Sequence, residues 1–321
     1  MVKNGHQRSV VTCDGELAAR LKQLPQWDQS ICFLDNIGPL EEGTVGSVFC
    51  VDLDSITPTM DIYESIDRAL DRGCRISLLH QLTLSGVIGL LERFPNIQAF
   101  FGKDLGERGN HSLLMVLNEL KTHHVPDDIA HCFDGPFAHH HFEIEKDASK
   151  YEILAKIRET VEIQSLTPDF TDGFLTSIDE VITNALKHGR VPAAPAGSLA
   201  GDATQAIPLQ TVKVNCGWNS DLLALSVQDS GGKLTRRRYV ESLRQALSSS
   251  PDEQVRMKKG SAGVGLYLVH SLAKDVYVTV RPGLSTVVLV VQPISKRARD
   301  QYNGVHSIMY AQDSQTQGIE S

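Results

Sequence analysis

The sequence lacks any apolar run long enough to span a bilayer, and its first residues, MVKNGHQRSVVTCDGE, contain no apolar signal core. It also lacks an excess of positive charge, because 31 basic residues against 39 acidic ones give a formal net charge of −8 at pH 7. A negative chain is repelled by nucleic-acid phosphates, so direct DNA or RNA binding is not expected. The six cysteines form no CxxC pair and mostly lie in apolar runs. We therefore predict a cytoplasmic protein with reduced thiols and no membrane association.

The composition that remains is that of a globular protein. The 321 residues are 41% hydrophobic and 22% charged, and this length accommodates two domains. We predict a two-domain α/β protein with a first domain over 1–122, a linker over 123–141 and a second domain over 142–295. The polar residues 296–321 are predicted to be a partly disordered tail.

Short apolar runs alternate with helical periods throughout the first domain. The β-rich runs are SVVTC, SICFL, SVFCVDL, RISLL and IQAFF, and each is followed by or preceded by an amphipathic segment. This alternation predicts a doubly wound parallel sheet. In such sheets the functional crevice lies at the carboxyl ends of the strands.

The residues at those strand ends are Asp14, Asp52 with Asp54, Thr83 or a near neighbour, and Lys103. With VDLD after the third run and FFGKDL after the fifth, the domain resembles the receiver domain of bacterial two-component systems. The resemblance implies a phospho-accepting aspartate in the Asp52 region and a lysine at Lys103. Cys13 stands where receivers usually have a second acidic residue beside Asp14, and a thiol is a poor ligand for magnesium.

Two other interpretations of the first domain stay open. A degenerate receiver that is no longer phosphorylated would act as a docking or dimerisation module. The same runs also fit a sulfate-transporter/anti-sigma-antagonist fold.

Residues 121–141, which include the whole predicted linker, are rich in histidine and read KTHHVPDDIAHCFDGPFAHHH. Their six histidines invite a metal hypothesis, because imidazole is a common zinc ligand. Neither HH nor HHH has the spacing that directs two rings at one ion, so solvated histidines are the favoured interpretation.

The second domain contains the segment SIDEVITNALKH, in which polar residues recur at a helical spacing. Glu180, Asn184 and His188 are four residues apart, so they share one stripe of a helix. The adjacent stripe is apolar and consists of Phe174, Ile178, Val181, Ile182 and Ala185. One face of this helix is thus predicted to pack on a sheet while the next presents polar groups to a cleft.

Two glycine-containing segments follow in order. In the first, LLALSVQDSGG, an apolar strand ends at Asp229 and continues into a turn that contains Gly231. In the second, KKGSAGVGLYLVHSLAKDV, Gly263 and Gly265 precede an amphipathic helix. Glycines and a helix N-terminus suit a phosphate-binding loop. With the Glu180–His188 stripe, these segments resemble the N, G1 and G2 boxes of the GHKL ATPase superfamily. Within it the chain is most similar to bacterial anti-sigma-factor serine/threonine kinases of partner-switching systems.

The GHKL resemblance implies an α/β sandwich with helices on one face of a mixed sheet, and it implies ATP and Mg²⁺ as cofactors. By resemblance, Asn184 would hold the magnesium ion and Glu180 would act as general base toward the attacking hydroxyl. Asp229 would accept a hydrogen bond from the adenine amino group, Gly231 would give the base room, and the two loop glycines would wrap the phosphates. Phosphoryl transfer relies mostly on positioning and charge neutralisation, which suits these groups. The role of His188 stays open.

The chain departs from the GHKL pattern at two positions. Lys233 stands where the G1 box usually has a third glycine, and Ser261 replaces the first glycine of the fuller G2 pattern. Between the boxes, residues 233–259 form a strongly basic segment where the superfamily places its ATP lid, with YVESLRQAL as one short helix. Its arginines are expected either to be solvated or to pair with phosphates or an acidic partner.

The resemblances together predict a receiver-like domain that controls an ATP-dependent serine/threonine kinase. The implied partners are an anti-sigma-factor antagonist as substrate and a sigma factor as competitor; a homodimer is compatible with both families. The alternatives are a nucleotide-gated binding protein without catalysis and a histidine-kinase-like fragment acting with a separate phosphotransfer protein. Because the domains are expected to work separately, Asp52→Asn should leave nucleotide binding intact.

Overall fold

The computed structural model describes residues 9–13, 15–24, 27, 29, 31–34, 46–54, 60–103, 111–122, 127–144, 147–163, 168–188, 211–248, 266, 269–270, 273–295 and 307–312. Within these residues, 11 strands form a single mixed sheet in the order β2-β1-β3-β4-β5-β11-β9-β10-β8-β7-β6. The strands are β1 (Ser9–Thr12), β2 (Ile31–Leu34), β3 (Val48–Asp52), β4 (Arg75–His80), β5 (Ala99–Gly102), β6 (Ala138–Ile144), β7 (Val212–Trp218), β8 (Leu222–Asp229), β9 (Asp275–Arg281), β10 (Ser285–Pro293) and β11 (Ser307–Gln312).

The described helices lie on both faces of this sheet. They are α1 (Gly15–Gln23), α2 (Met60–Asp71), α3 (Leu84–Arg93), α4 (His111–Thr122), α5 (Asp147–Ile163), α6 (Pro168–His188) and α7 (Arg236–Ser248), with a 3₁₀ turn at Ile129–Cys132. One apolar cluster includes side chains of α2, α3, α5, α6 and α7, and we call its side of the sheet the α6 face. A second cluster, with α1, α4 and the 3₁₀ turn, covers the opposite face.

The first half of the sheet, β1–β5, is parallel throughout. β1 pairs with β2 and β3, and β4 pairs with β3 and β5, all in parallel register. Helices cover both faces of these strands, as the doubly wound prediction requires. In the interior strand β3 all five residues are buried, which fits a continuous apolar run that is covered on both faces.

The second half, β6–β10, is antiparallel. β7 pairs with β6 and β8, and β10 pairs with β8 and β9. Strand β6 begins at Ala138, inside the segment that the sequence predicts as a linker ending at residue 141. The alternation in β7, with Val212 and Val214 buried and Lys213 exposed, shows how its apolar side faces the helices.

Strand β11 joins the two halves. It pairs antiparallel with β5 and parallel with β9, so it lies at the centre of the sheet. The sequence predicts a partly disordered tail here, yet residues 307–311 are buried. The tail therefore contributes a central strand of the sheet.

The apolar core also crosses the boundary between the halves. Leu91 and Phe94 from the first half belong to the same buried cluster as Leu243 and Tyr310. Full burial of a side chain of this size stabilises the folded state by roughly 1.5–3 kcal/mol. The halves thus share a sheet and a core, whereas the sequence predicts two domains separated by a linker.

No disulfide joins the six cysteines, all of which lie within the described residues. Burial raises the pKa of the Cys50 and Cys216 thiols, which disfavours the reactive thiolate there. In the part of the chain that the structure describes, no helix has the length and apolarity needed to cross a membrane.

Gly89 offers a simple test of the helix assignment for α3. It is exposed in mid-helix, and an added Cβ would meet nothing within 4 Å. We expect Gly89→Ala to raise the free energy of unfolding by about 0.5–1 kcal/mol in urea denaturation, because alanine loses less backbone entropy. Gly86→Ala is the control, since its Cβ would lie 3.0 Å from Leu82 Cβ. An equal gain at both positions would contradict the packing described for this helix.

Candidate functional site

Helix α6 presents the predicted polar stripe beside a fully packed apolar one. The five predicted apolar residues are buried: Phe174, Ile178, Val181, Ile182 and Ala185. Glu180 and Asn184 are half-buried on the adjacent stripe. The helix packs against β7 and β8, so the two polar side chains lie at the edge of the helix–sheet interface. The side chain of His188 lies outside the described residues.

An ion pair between α5 and α6 lies beside the polar stripe. Lys150 Nζ lies 2.7 Å from Asp179 Oδ1 and donates to Thr183 Oγ1 at 3.1 Å. These two acceptors directly precede Glu180 and Asn184 in the sequence. The lysine therefore occupies the side of the helix next to the polar stripe.

Asp229, at the end of β8, is oriented by the backbone around it. Its Oδ1 accepts hydrogen bonds from the backbone N–H groups of Gly231 at 2.8 Å, Gly232 at 3.2 Å and Thr286 at 2.9 Å. Three donors on one oxygen leave the carboxylate a single orientation. Among the described residues, Oδ2 accepts no hydrogen bond, and Asp229 itself is half-buried. The second oxygen is thus available to a ligand.

Gly232 is the glycine that this turn requires. Its φ of 56° lies in the left-handed region, and an added Cβ would come within 2.1 Å of Arg281 O. The GHKL resemblance implies that Gly231 leaves space for the adenine base. In the structure Gly231 is buried, and its backbone N–H donates to Asp229 Oδ1. The turn therefore uses one glycine for its backbone conformation and the other as a donor.

Thr286 is a site residue that the sequence analysis missed. It pairs directly with Asp229 across β8 and β10, so both side chains emerge on the same face. The side chain is buried at 4% exposure, and within the described chain its Oγ1 has no hydrogen-bond partner. A buried hydroxyl without a partner costs free energy unless a ligand satisfies it. The signal in the sequence is a threonine at the start of the apolar run STVVLVV.

Strand alternation brings Asp229 and Thr286 to the face that carries Glu180 and Asn184. Val227 and Val288 are two residues from Asp229 and Thr286 along the same strands, and both belong to the core of the α6 face. The structure thus places four candidate residues on one side of the sheet. The phosphate-loop residues Gly263, Gly265 and Ser261 lie outside the described residues. From the helix predicted after them, Leu266, Val269 and His270 are described as helical and buried.

The predicted lid begins with α7, which docks on the first half. Arg236 donates to the carbonyl oxygens of Ile97 at 2.7 Å, Phe94 at 3.1 Å and Leu91 at 3.3 Å, at the carboxyl end of α3. Burial lowers the pKa of the Arg236 guanidinium, opposed by Tyr239 and Tyr310. A cation at this helix end is favoured by the helix dipole. Part of the basic segment therefore serves contacts within the chain.

Two other charged residues of this basic segment are more exposed to solvent than Arg236. Arg244 pairs with Glu92 at 2.6 Å, a second link between α7 and α3. Lys233, the departure from the G1 pattern, is exposed just before α7.

In the first half, Asp52 and Lys103 form a buried ion pair. Lys103 Nζ lies 2.7 Å from Asp52 Oδ2, with side-chain exposures of 4% and 0%. The pair forms because β3 and β5 flank β4 in parallel, which brings their carboxyl ends to one edge. The backbone N–H of Asp54 donates to Asp52 Oδ1 at 3.1 Å. Partial burial raises the pKa of the Asp54 carboxyl, and the charge of Asp52 adds to this while Lys103 opposes it. Asp14 lies outside the described residues.

The histidine-rich segment ends in the edge strand β6. His141 Nδ1 lies 2.6 Å from Asn215 Oδ1, and the ring of His140 packs on Trp218 with centroids 5.0 Å apart. His139, His140 and His141 are exposed. Across the described ranges, no group of three or more His, Cys, Asp or Glu side chains is arranged to hold a metal ion.

Comparison with known proteins adds little to this geometry. No family model matches the chain, and no curated protein matches it. Among solved structures, one chain of the SiaB–SiaC complex from Pseudomonas aeruginosa is similar at 10% identity, with a TM-score of 0.34. The alignment covers 47% of this chain and 88% of that chain. At this TM-score the similarity carries no argument about fold or function.

Proposed function

We propose that this chain is a bacterial signalling regulator whose second half binds ATP with Mg²⁺ and acts as an anti-sigma-type serine/threonine protein kinase of the GHKL superfamily. The observation that supports this most is the pairing of Asp229 with Thr286. A carboxylate held by backbone donors, beside a buried hydroxyl without a described partner, is suited to a flat heterocycle with mixed donors and acceptors.

The adenine base fits this pair chemically. The exocyclic amino group of adenine donates a hydrogen bond, which Asp229 Oδ2 can accept. The Thr286 hydroxyl can donate or accept, so it matches a ring nitrogen directly or through water. Bound ATP would supply the phosphoryl group that is transferred.

Glu180 and Asn184 suit the reaction end of the same site. The amide oxygen of Asn184 is a hard ligand of the kind that Mg²⁺ prefers, and the carboxylate of Glu180 can orient or deprotonate a hydroxyl. The substrate would be a serine or threonine of an antagonist protein, and a sigma factor would compete for it. In the first half, the buried Asp52–Lys103 pair supports a receiver-like regulatory role.

One observation favours a second candidate, a nucleotide-gated binding protein without catalysis. Arg236 of the predicted lid directs its guanidinium at three backbone carbonyls of the first half, so it is committed there and not to phosphates. Lys233, which replaces a glycine of the G1 pattern, also favours a binding protein without catalysis.

Calorimetric titration of the full chain with ATP and Mg²⁺ tests the proposal, with EDTA and GTP as comparisons. We expect ATP binding that requires Mg²⁺, and we expect Asn184→Ala to abolish the magnesium-dependent part. Absence of binding by the unsubstituted chain would remove both candidates.

A measurement of slow ADP formation then distinguishes between the two candidate functions, a kinase and a binding protein without catalysis. With no antagonist protein present, water would accept the phosphoryl group, so a kinase should slowly form ADP and inorganic phosphate, and Glu180→Gln should suppress this without changing ATP affinity. Tight ATP binding with no ADP formation would favour the binding protein.

A further inference from the structure

We propose that strand β11 couples the Asp52–Lys103 pair to the nucleotide half through Ser307 at its start and Tyr310 three residues further along. The nucleotide side of this coupling rests on the function proposed above. The strand lies between β5, which leads into Lys103, and β9, which follows the helical residues 269–270. Both residues also make hydrogen bonds outside the sheet ladder.

Ser307 connects the two halves directly. Its hydroxyl accepts a hydrogen bond from the Gly102 backbone N–H at 2.8 Å, and its own N–H donates to Asp275 Oδ1 at 2.6 Å. Ser307 is fully buried, and Asp275 is 1% exposed. Bonds this well shielded from water are costly to break without replacement. A shift at Gly102 is therefore passed to the start of β9.

Gly102 is adjacent in sequence to the residue that would respond to a change at Asp52. Lys103 binds Asp52 through its ammonium group, and its backbone N–H donates to His80 O at 2.7 Å. A buried ammonium group held at 2.7 Å responds strongly to the charge of its partner. Loss or modification of the Asp52 charge therefore changes the position that Lys103 and its neighbours prefer.

Tyr310 carries the connection to the lid. Its backbone N–H donates to Gln98 O at 2.8 Å, and its hydroxyl donates to Leu234 O at 2.6 Å. Leu234 lies between Gly232, in the turn that orients Asp229, and the start of α7. Burial raises the pKa of the Tyr310 hydroxyl to about 12, so it stays a donor at neutral pH. One residue thus links the entry of β5, through its backbone, to the entry of the lid, through its side chain.

Arg236 strengthens the same link. Its guanidinium lies 6.0 Å from the centre of the Tyr310 ring while it donates to the end of α3. The first turn of α7 is thereby held to the first half by Tyr310 and Arg236 together. The sequence predicts that Asp52→Asn leaves nucleotide binding intact; the shared strand leads us to expect the opposite in the full chain.

The test compares Asp52→Asn in two backgrounds of the full chain. In the otherwise native chain we expect Asp52→Asn to change the Kd for ATP with Mg²⁺ by at least about fivefold, the lower end of typical coupling between sites. In a Ser307→Ala background the same substitution should change the Kd by less than about twofold, as expected for a broken coupling. Ser9→Ala is the matched control, because Ser9 is also a buried first residue of a strand, and among the described residues its hydroxyl donates to Leu120 O, within the first half.

Hydrogen exchange provides a readout that needs no nucleotide. We expect Asp52→Asn to change amide exchange across residues 231–248, and Tyr310→Phe, which removes one oxygen atom, to reduce that change. Failure of the chain to bind ATP would overturn the proposed function, and the exchange result alone would then decide the coupling. An effect of Asp52→Asn that is absent in both measurements, or that survives Ser307→Ala and Tyr310→Phe unchanged, would overturn the coupling itself.

Discussion

Replacement of Asp229 by asparagine is expected to weaken ATP binding by about 10- to 150-fold while the fold stays intact, the effect of losing a hydrogen bond to a charged group. The fold survives because the three backbone donors on Oδ1 can bond an amide oxygen equally well. They also fix the orientation of the asparagine, since its NH₂ group cannot face three N–H donors. The NH₂ group must then stand where Oδ2 was, and there it meets the adenine amino group donor to donor.

The same argument predicts a change of base preference. Guanine presents an acceptor oxygen where adenine presents its amino group, so Asp229→Asn should lose ATP affinity without a comparable loss of GTP affinity. Titration calorimetry with both nucleotides measures this. Asp172→Asn is the control because it removes the same charge from an exposed pair with Arg158 in the same half. Equal ATP affinity of Asp229→Asn and the native chain would exclude Asp229 from base recognition.

Local patterns were sufficient to predict most of the secondary structure. The five apolar runs of the first half became strands, as predicted. The apolar stripe of α6 is buried as predicted because helix periodicity alone determines which side chains face the sheet. Placement of Lys103 beside Asp52 follows from parallel strands, whose carboxyl ends share one edge.

Features that depend on pairing between distant residues could not be predicted in this way. SIMYAQ is a short run in a polar tail, and it becomes a buried strand only because β5 and β9 offer two open edges. Thr286 gains its importance from lying opposite Asp229, 57 residues away in sequence. Neither register is encoded in the periodicity of a single segment, so the sequence predicted two separate domains where the structure has one sheet.

The largest expected effect on stability comes from Lys103. We expect Lys103→Met to lower the free energy of unfolding by about 3–5 kcal/mol, because it removes the ammonium partner of a buried carboxylate. The expected loss is large because the Asp52–Lys103 pair is buried. Arg93, which belongs to an exposed ion pair, provides the matched control. Arg93 lies 2.7 Å from Asp67, the same distance, but the two side chains are 52% and 42% exposed. Arg93→Met should therefore cost less than about 1 kcal/mol.

Addition of Asp52→Asn to Lys103→Met should recover much of the lost stability, because the charge that was left without its ammonium partner is then removed as well. Urea denaturation of the four chains in this double-mutant cycle measures the interaction free energy of the pair. An additive cycle would mean that Asp52 is stabilised by groups other than Lys103. It would also weaken the case for coupling through β11, since that route begins with Lys103 responding to the charge of Asp52. A strongly non-additive cycle is what a switch built on this ion pair requires.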